Sequence, residues 1–299
     1  MRIFDTHAHY DDEAFDTDRD RLLDIDLAAE GVEYVVNVGA SMNGSEASAA
    51  FARKYASKSA RVKVLAGIGI HPDDTGIFEG REASSSLQGS HPDDTSPCER
   101  KEAPFGLRFS HPDDVMQHLR DLCAGEGVVC IGEIGLDYHW MVQTKDVQQH
   151  WFREQMRLAH ELHLPINVHS RDAAKDTFDL IRENYEAGLY TGGIIHCFSG
   201  SLELAREYVK MGYHIGIGGV VTFKNGKTLK KVAAEIPLEF LVTETDCPYL
   251  APEPYRGKRN DSRYIRYVIE AIAALKEMDP EACAQALFQN ACRVYRIRN

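Results

Sequence analysis

His7 and His9 stand two residues apart in Arg2-Ile3-Phe4-Asp5-Thr6-His7-Ala8-His9. Side chains alternate faces along a β-strand, so both imidazoles should project the same way, with Asp5 on that face but deeper. Two imidazoles fixed on one face can grip a metal ion; a pair of surface histidines in a turn would be spelled the same way. Glu133 sits among apolar residues and glycines in Ile131-Gly132-Glu133-Ile134-Gly135-Leu136-Asp137. A carboxylate is costly to bury there unpaired. A position bridging two cations would satisfy it, and so would a salt bridge. His169 closes Ile166-Asn167-Val168-His169, His196 closes Gly193-Ile194-Ile195-His196, and Asp246 closes Val242-Thr243-Glu244-Thr245-Asp246. Taken singly, each histidine could be a hydrogen-bonded core residue and Asp246 a helix-cap or turn carboxylate.

The elements that must position these residues are eight segments rich in β-branched and apolar residues: Arg2–His7, Glu33–Val38, Val62–Ile70, Val128–Ile134, Pro165–His169, Gly193–His196, Tyr213–Ile217 and Phe240–Thr245. Near-continuous apolar runs of this kind suit strands buried on both faces. Helical patterns lie between them. Over Lys145–Leu162, Val147, Trp151, Phe152, Met156 and Ala159 share a face; over Ser201–Met211, Leu204, Ala205, Tyr208 and Val209 do so, with Gly212 just past the end. A tail helix is signalled by Asp279-Pro280 and by Ala282, Leu287, Ala291 and Val294. Strand and helix in alternation predict an α/β fold, a TIM-type (β/α)8 barrel forming a single domain over residues 1–299. Six imidazole or carboxylate residues then close strands one, four, five, six and eight, whose ends meet at one face, where active sites of such barrels lie. His7, His9, Glu133, His169, His196 and Asp246 make room for two divalent ions, with ligands suiting Zn²⁺ or Mn²⁺ and tolerating Mg²⁺.

One stretch breaks the alternation. Between strands three and four, His71–Ser90 and His91–Ser110 match at ten of twenty positions, and a third His-Pro-Asp-Asp follows at His111–Asp114. Excising two units leaves roughly 260 residues, close to the roughly 250 typical of such barrels. Residues 75–114 are therefore expected to form an inserted tandem-repeat loop. Two units are too few for a solenoid. A lid or an extra metal site is the sharper reading, since each unit carries a His and two Asp.

The bulk composition is that of a globular protein, 43% hydrophobic and 27% charged. No run is long and apolar enough to span a membrane, and the first residues lack a signal peptide's apolar core. Seven cysteines without a C-x-x-C pair suggest free thiols in a reducing compartment, and so a cytoplasmic protein. The formal net charge of −12 would repel a polyanion. A nucleic-acid substrate must then be drawn in by bound cations and a local basic patch.

Read in order, Asp5-Thr6-His7-Ala8-His9, Gly69-Ile70-His71-Pro72, Gly132-Glu133-Ile134-Gly135-Leu136-Asp137-Tyr138, Asn167-Val168-His169-Ser170-Arg171, His196-Cys197-Phe198-Ser199-Gly200, and Thr243-Glu244-Thr245-Asp246 with Arg256-Gly257-Lys258-Arg259-Asn260 resemble the successive signatures of the TatD family of metal-dependent deoxyribonucleases. The resemblance covers the chain apart from Thr75–Ser110. It implies an amidohydrolase-like barrel and metal-dependent hydrolysis, commonly of DNA from a 3′ end. It also implies that His7, His9, Glu133 and Asp246 hold one ion and that Glu133, His169 and His196 hold the other. Where many relatives have a second histidine after His71-Pro72, this chain has Asp73. Two-metal phosphodiester hydrolysis would assign Asp246 as proton acceptor and Glu133 as the bridging carboxylate. His71, Arg171 and Arg256 are candidate substrate contacts, with Lys258 and Arg259 either joining Arg256 in a phosphate-binding loop or forming a solvated cluster. The same centre could instead hydrolyse an ester or amide, such as an aminoacyl ester on tRNA.

Overall fold

The structure is a computed structural model that describes residues 1–55, 60–79 and 111–298. Eight parallel strands form one sheet in sequence order: β1 Ile3–Ala8, β2 Val32–Val38, β3 Lys63–Ile68, β4 Val128–Asp137, β5 Ile166–Arg171, β6 Gly193–Ile195, β7 His214–Ile217 and β8 Leu241–Thr243. All eight expected strands are present. Helices α1 Met42–Tyr55, α2 Pro112–Cys123, α3 Lys145–Glu161, α4 Ala174–Glu186, α5 Leu202–Lys210, α6 Lys227–Glu235, α7 Ile265–Leu275 and α8 Pro280–Val294 follow from β2 onward. A short helical run, Arg19–Arg21 through Leu27–Ala29, links β1 to β2.

Outer strand faces pack on the helices. From α3 the buried set includes Val147, Trp151, Phe152, Met156 and Ala159, the face expected from sequence. In α5, Ala205 and Tyr208 are buried, Leu202 joins them, and Leu204 and Val209 are only partly covered. Ser201 caps that helix by accepting from the Leu204 amide, and Asp279 caps α8 by accepting from the Ala282 amide. Ala282 itself is exposed, because α8 turns Cys283, Ala284, Leu287 and Phe288 inward instead.

Inside the barrel, Val36, Cys130, Ile194 and Val242 come from the four even-numbered strands and share one cluster. Phe4 joins them, as do Phe288, Ala291 and Cys292 from α8 and Tyr295 just past its end. Side chains from alternate strands fill such barrels in layers. The barrel interior is thus plugged beneath the strand C-termini, and Tyr295 reaches up to donate to the Thr6 carbonyl at 3.0 Å.

The β1–β8 seam differs from the other strand pairs. Among the described residues its backbone pairing reduces to the Ala8–Cys247 bridge, with His9 N donating to Cys247 O at 2.9 Å and Asp246 N donating to His7 O at 3.0 Å. Side chains supply the rest: Thr6 Oγ1 donates to Thr243 O, and Thr245 Oγ1 donates to Asp5 Oδ2 at 2.6 Å.

After β3, Pro72–Glu79 form a 3-10 helix, and Pro112 opens α2 with His111 at its N-cap position. The first and third His-Pro-Asp-Asp copies therefore each begin a helix, as proline at the first helical position favours. Residues 80–110 lie outside the described residues, and with them the second copy and its reading as a lid or extra metal site. Deleting Thr75–Asp114 restores one His-Pro-Asp-Asp before Val115. The shortened chain is expected to stay soluble, keep its far-UV circular dichroism and melt near the parent, since loop length costs only about 0.6 kcal/mol per doubling. Insolubility or collapse of the Tm would show that these residues belong to the core.

Candidate metal centre

The six expected residues converge at the C-terminal end of the barrel, though several strand-end assignments need correction. Glu133 is in mid-strand, because β4 continues to Asp137. His9 and His196 lie one residue beyond their strands, and Asp246 lies three beyond β8, at a φ of 56°. Asp5 does not share the histidines' face. The β1–β2 register shifts between Asp5 and Ala8, which breaks strict alternation, and the carboxylate turns to Thr245 and Ser262. Burial lifts Asp5 to about 6, despite those hydroxyl bonds.

Glu133 is the hub. Its Oε1 lies 2.9 Å from both His169 Nδ1 and His196 Nε2. Its Oε2 lies 3.7 Å from both His7 Nε2 and His9 Nε2. Asp246 Oδ1 is 3.4 Å from His9 Nε2 and 3.8 Å from His7 Nε2. Two glycines let β4 and β5 come close enough for this. A side chain at Gly132 would meet Asn167, and one at Gly135, whose φ is 146°, would run into the His169 carbonyl.

Three of the four histidines are oriented by a neighbour that can only accept. His9 Nδ1 donates to Val38 O at 2.9 Å, His7 Nδ1 to Asn167 Oδ1 at 3.1 Å, and His169 Nε2 to Asp137 Oδ2 at 3.1 Å. Each bond takes up the outward ring nitrogen, so the one facing the cluster is the atom that can ligate an ion once it has given up any proton. The His7 and His9 Nε2 atoms then face each other at 3.0 Å. Two lone pairs at that distance call for a shared cation or proton. His196 stacks on His7, ring centroids 3.8 Å apart, and its Nδ1 lies 3.9 Å from Glu244 Oε1. Glutamines of α3 brace the surroundings: Gln148 clasps the Asp137 backbone at 2.9 Å through both amide atoms, and Gln155 clasps that of Ile70, at 2.8 and 3.1 Å.

The electrostatics follow from this packing. Burial alone would raise Glu133, but the His196 charge and bonds from His169 and His196 hold it well below the usual carboxylate range. Asp246 is lowered against its burial by the His9 bond and by the charges of His196, His7 and His9. Burial disfavours protonated His9 and His169, yet the bond His9 donates to Asp246 and the charge of Glu133 raise His9 to about 9, and Asp137 and Glu133 raise His169 to about 10. Glu244, fully buried and accepting from Cys197 N, is pushed up to about 7 by burial.

His7, Glu133 and His196 form one group whose ligand atoms all lie within 4.8 Å, and His7, His9 and Asp246 form a second. His71 enters a third with Glu133 and His169, and a fourth with Asp73 and Asp137. His71, a candidate substrate contact from the sequence, lies against His169, rings 4.4 Å apart. Imidazole and carboxylate donors at these spacings fit divalent cations. Arg171 ends β5 and lies over Trp140. Arg256 packs over Phe223, and Arg259 forms a two-pronged pair with Asp18 at 2.6 and 2.8 Å.

With this arrangement in view, the comparisons are decisive. The family profile described as TatD related DNase matches residues 4–296. The chain belongs to the TatD family. It is 39% identical to YabD of Bacillus subtilis (strain 168), named as a metal-dependent hydrolase, with 99% of each chain covered. It is 31% identical to a Cronobacter sakazakii protein named 3'-5' ssDNA/RNA exonuclease TatD, over 98% of this chain and 97% of that one. The crystal structure of YJJV, a TatD homolog from Escherichia coli, matches at TM-score 0.76 and 26% identity, with 99% of each chain covered. The chain is accordingly a metal-dependent hydrolase of the TatD family.

Asn167, Asp137, Gln148 and Gln155 were not singled out from the sequence, although Asn167 and Asp137 are polar within apolar strand patterns. Glu244 went unassigned for the same reason. No helix among the described residues is long and apolar enough to cross a membrane.

Metal binding through His9 and His169 would have to displace the protons they hold. In chelator-treated protein, affinity for Mn²⁺ or Zn²⁺ is expected to rise between pH 7 and 10. Over the same window the metal-free Tm should fall. A histidine whose folded pKa lies above its unfolded value of about 6.5 stabilises fully below that value and loses the contribution as pH rises through the folded pKa. Calorimetric titration and thermal melts check both; an affinity that does not change with pH would refute the assignment of His9 and His169 as ligands.

Proposed function

We propose that this TatD-family hydrolase cleaves phosphodiester bonds of DNA with two divalent ions, acting from a 3′ end. The observation that carries the reading is the division of Glu133. One carboxylate oxygen serves His169 and His196 and the other faces His7 and His9. A bridging carboxylate between two ions requires that division. His7, His9, Glu133 and Asp246 would hold one ion, and Glu133, His169 and His196 the other. Mg²⁺, Mn²⁺ and Zn²⁺ all suit this donor set.

When bound, the ions lower the pKa of a water and offset charge on the phosphoryl oxygens. The chain's own residues do the remaining work. Asp246 is ionised and poised over His9, so it can accept the proton of the attacking water at Oδ1. Its backbone N–H is tied to His7 O, which fixes that oxygen relative to the first pair of histidines. Asp137 holds His169 in one tautomer, and Asn167 does the same for His7, so the donor atoms need no reorganisation when substrate arrives. His71 and Arg171 would contact the phosphate from beside the centre, and Arg256 would do so from the loop after β8. The family name and the printed activity of the Cronobacter relative support nucleic acid as substrate.

Asp246→Asn keeps size and shape but removes the charge. On end-labelled single-stranded DNA with Mn²⁺, kcat is expected to fall roughly 10²–10⁴-fold, the loss typical of a missing general base. Metal content is measured in the same preparation, because Asp246 would also be a ligand and metal loss would lower kcat in the same way. Near-parental cleavage with metals retained would move the proton acceptor elsewhere. A parent inactive on DNA with every divalent ion, yet active on a nuclease-resistant aminoacyl ester, would overturn the nuclease assignment.

A further inference from the structure

Trp140, Met141 and Val142 are exposed in succession on the loop between β4 and α3, with Trp140 44% accessible. An exposed indole beside a metal centre is unusual in a chain that buries its other tryptophan, Trp151, to 1%. The loop is tied to the centre through one carboxylate. Asp137 Oδ1 accepts from the backbone amides of His139 at 2.9 Å and Trp140 at 3.1 Å, while Oδ2 accepts from His169 Nε2. The strand that carries His169 also carries Arg171, whose guanidinium lies 5.3 Å from the Trp140 ring centroid. His139 meets the indole edge-on at 4.7 Å, and Lys145 Nζ sits 4.1 Å from the neighbouring Tyr138 ring.

An aromatic face interleaved with cations at the mouth of an acidic protein is the arrangement that binds an unpaired base and its phosphate together. We infer that Trp140 and Arg171 form a stacking platform for one unpaired nucleobase of a single-stranded substrate, next to the residue whose phosphodiester reacts. This rests on the nucleic-acid reading of the metal centre and goes beyond it, because it assigns a positioning site that none of the metal-facing residues supplies. Arg171 lies over the indole, and the exposed remainder of the ring takes the base. A base paired in a duplex has its faces covered by its neighbours and cannot lie flat on the indole, so the platform selects single strands. The net charge of −12 gives the platform a purpose. The bulk of the surface repels a polyanion, so stacking must contribute affinity that long-range attraction does not.

Trp140 is the accessible fluorophore of two tryptophans, so its emission reads the platform directly. The probes are a single-stranded deoxyadenosine dodecamer and an abasic dodecamer of equal charge. They are titrated into full-length Asp246→Asn protein with Mn²⁺ to suppress cleavage. The deoxyadenosine strand should quench tryptophan emission and bind about tenfold more tightly than the abasic strand, the scale of one base–aromatic stack. Adding Trp140→Ala should abolish that preference, and Trp140→Phe should keep most of it. In the parent background Trp140→Ala should raise KM for the deoxyadenosine strand while kcat holds. Equal affinity for the two strands, or a preference that survives Trp140→Ala, overturns the platform and leaves the nuclease reading intact. If neither strand binds with metal present, the nucleic-acid reading fails and the platform with it. Self-association that Trp140→Ala removes without altering strand affinity would assign the patch to a second copy of this chain and also overturn the proposal.

Discussion

The structure depends on keeping one negative charge, that of Glu133, inside the barrel. Its side chain is nearly inaccessible, and an ionised carboxylate in such surroundings persists only with compensation from several directions. Four histidines supply it, from the ends of β1, β5 and β6. Their convergence requires β4 to approach β5 without an intervening side chain at Gly132, and Gly135 to adopt a backbone conformation closed to other residues. The pattern of glycines around Glu133 is thus a packing requirement of the charge. Reciprocally, His9 and His169 carry raised pKa values in the metal-free protein because Asp246, Asp137 and Glu133 are there. Protons and cations therefore compete for the same lone pairs, and the centre is compensated under either condition.

Order in the centre comes from neighbours outside it. Val38, Asn167 and Asp137 lie on three different strands, and each accepts from a different histidine. Asn167 is itself bonded to Thr6 and to Tyr295, just past the last helix. A contact line thus runs from the plug beneath the barrel to His7. The floor of the barrel and the chemistry at its mouth are parts of one hydrogen-bonded stack.

The strands were legible because buried parallel strands are written as continuous apolar runs, which nothing else in the chain imitates. The principal metal-facing residues were legible because imidazoles and carboxylates interrupt those runs near their C-terminal ends. What could not be read was geometry that depends on partners distant in sequence. Asp5 was expected beside His7 on the strength of alternation, and a register shift set by β2 turned it away. Glu133 was expected at a strand end, and pairing with β5 carried β4 four residues further. Arg259 looks like a phosphate ligand in a basic run, but Asp18, far along the chain, claims it. Gln148 and Gln155 read as ordinary polar positions on a helix, and their value lies in the backbone of Asp137 and Ile70 that happens to pass beneath them. The family signatures added what local pattern could not, namely which of the interrupted runs belong together.

The seam where the last strand meets the first has a consequence of its own. The amides of His9 and Asp246 are both hydrogen-bonded across it, and both residues also face the centre. Opening the seam and emptying the centre are therefore coupled events: the chain cannot breathe at its closure without displacing side chains that a cation would hold. Solvent exchange at those two amides thus becomes a gauge of occupancy, slow when the ion is seated and fast when it has left. The barrel would loosen first where its two ends were joined.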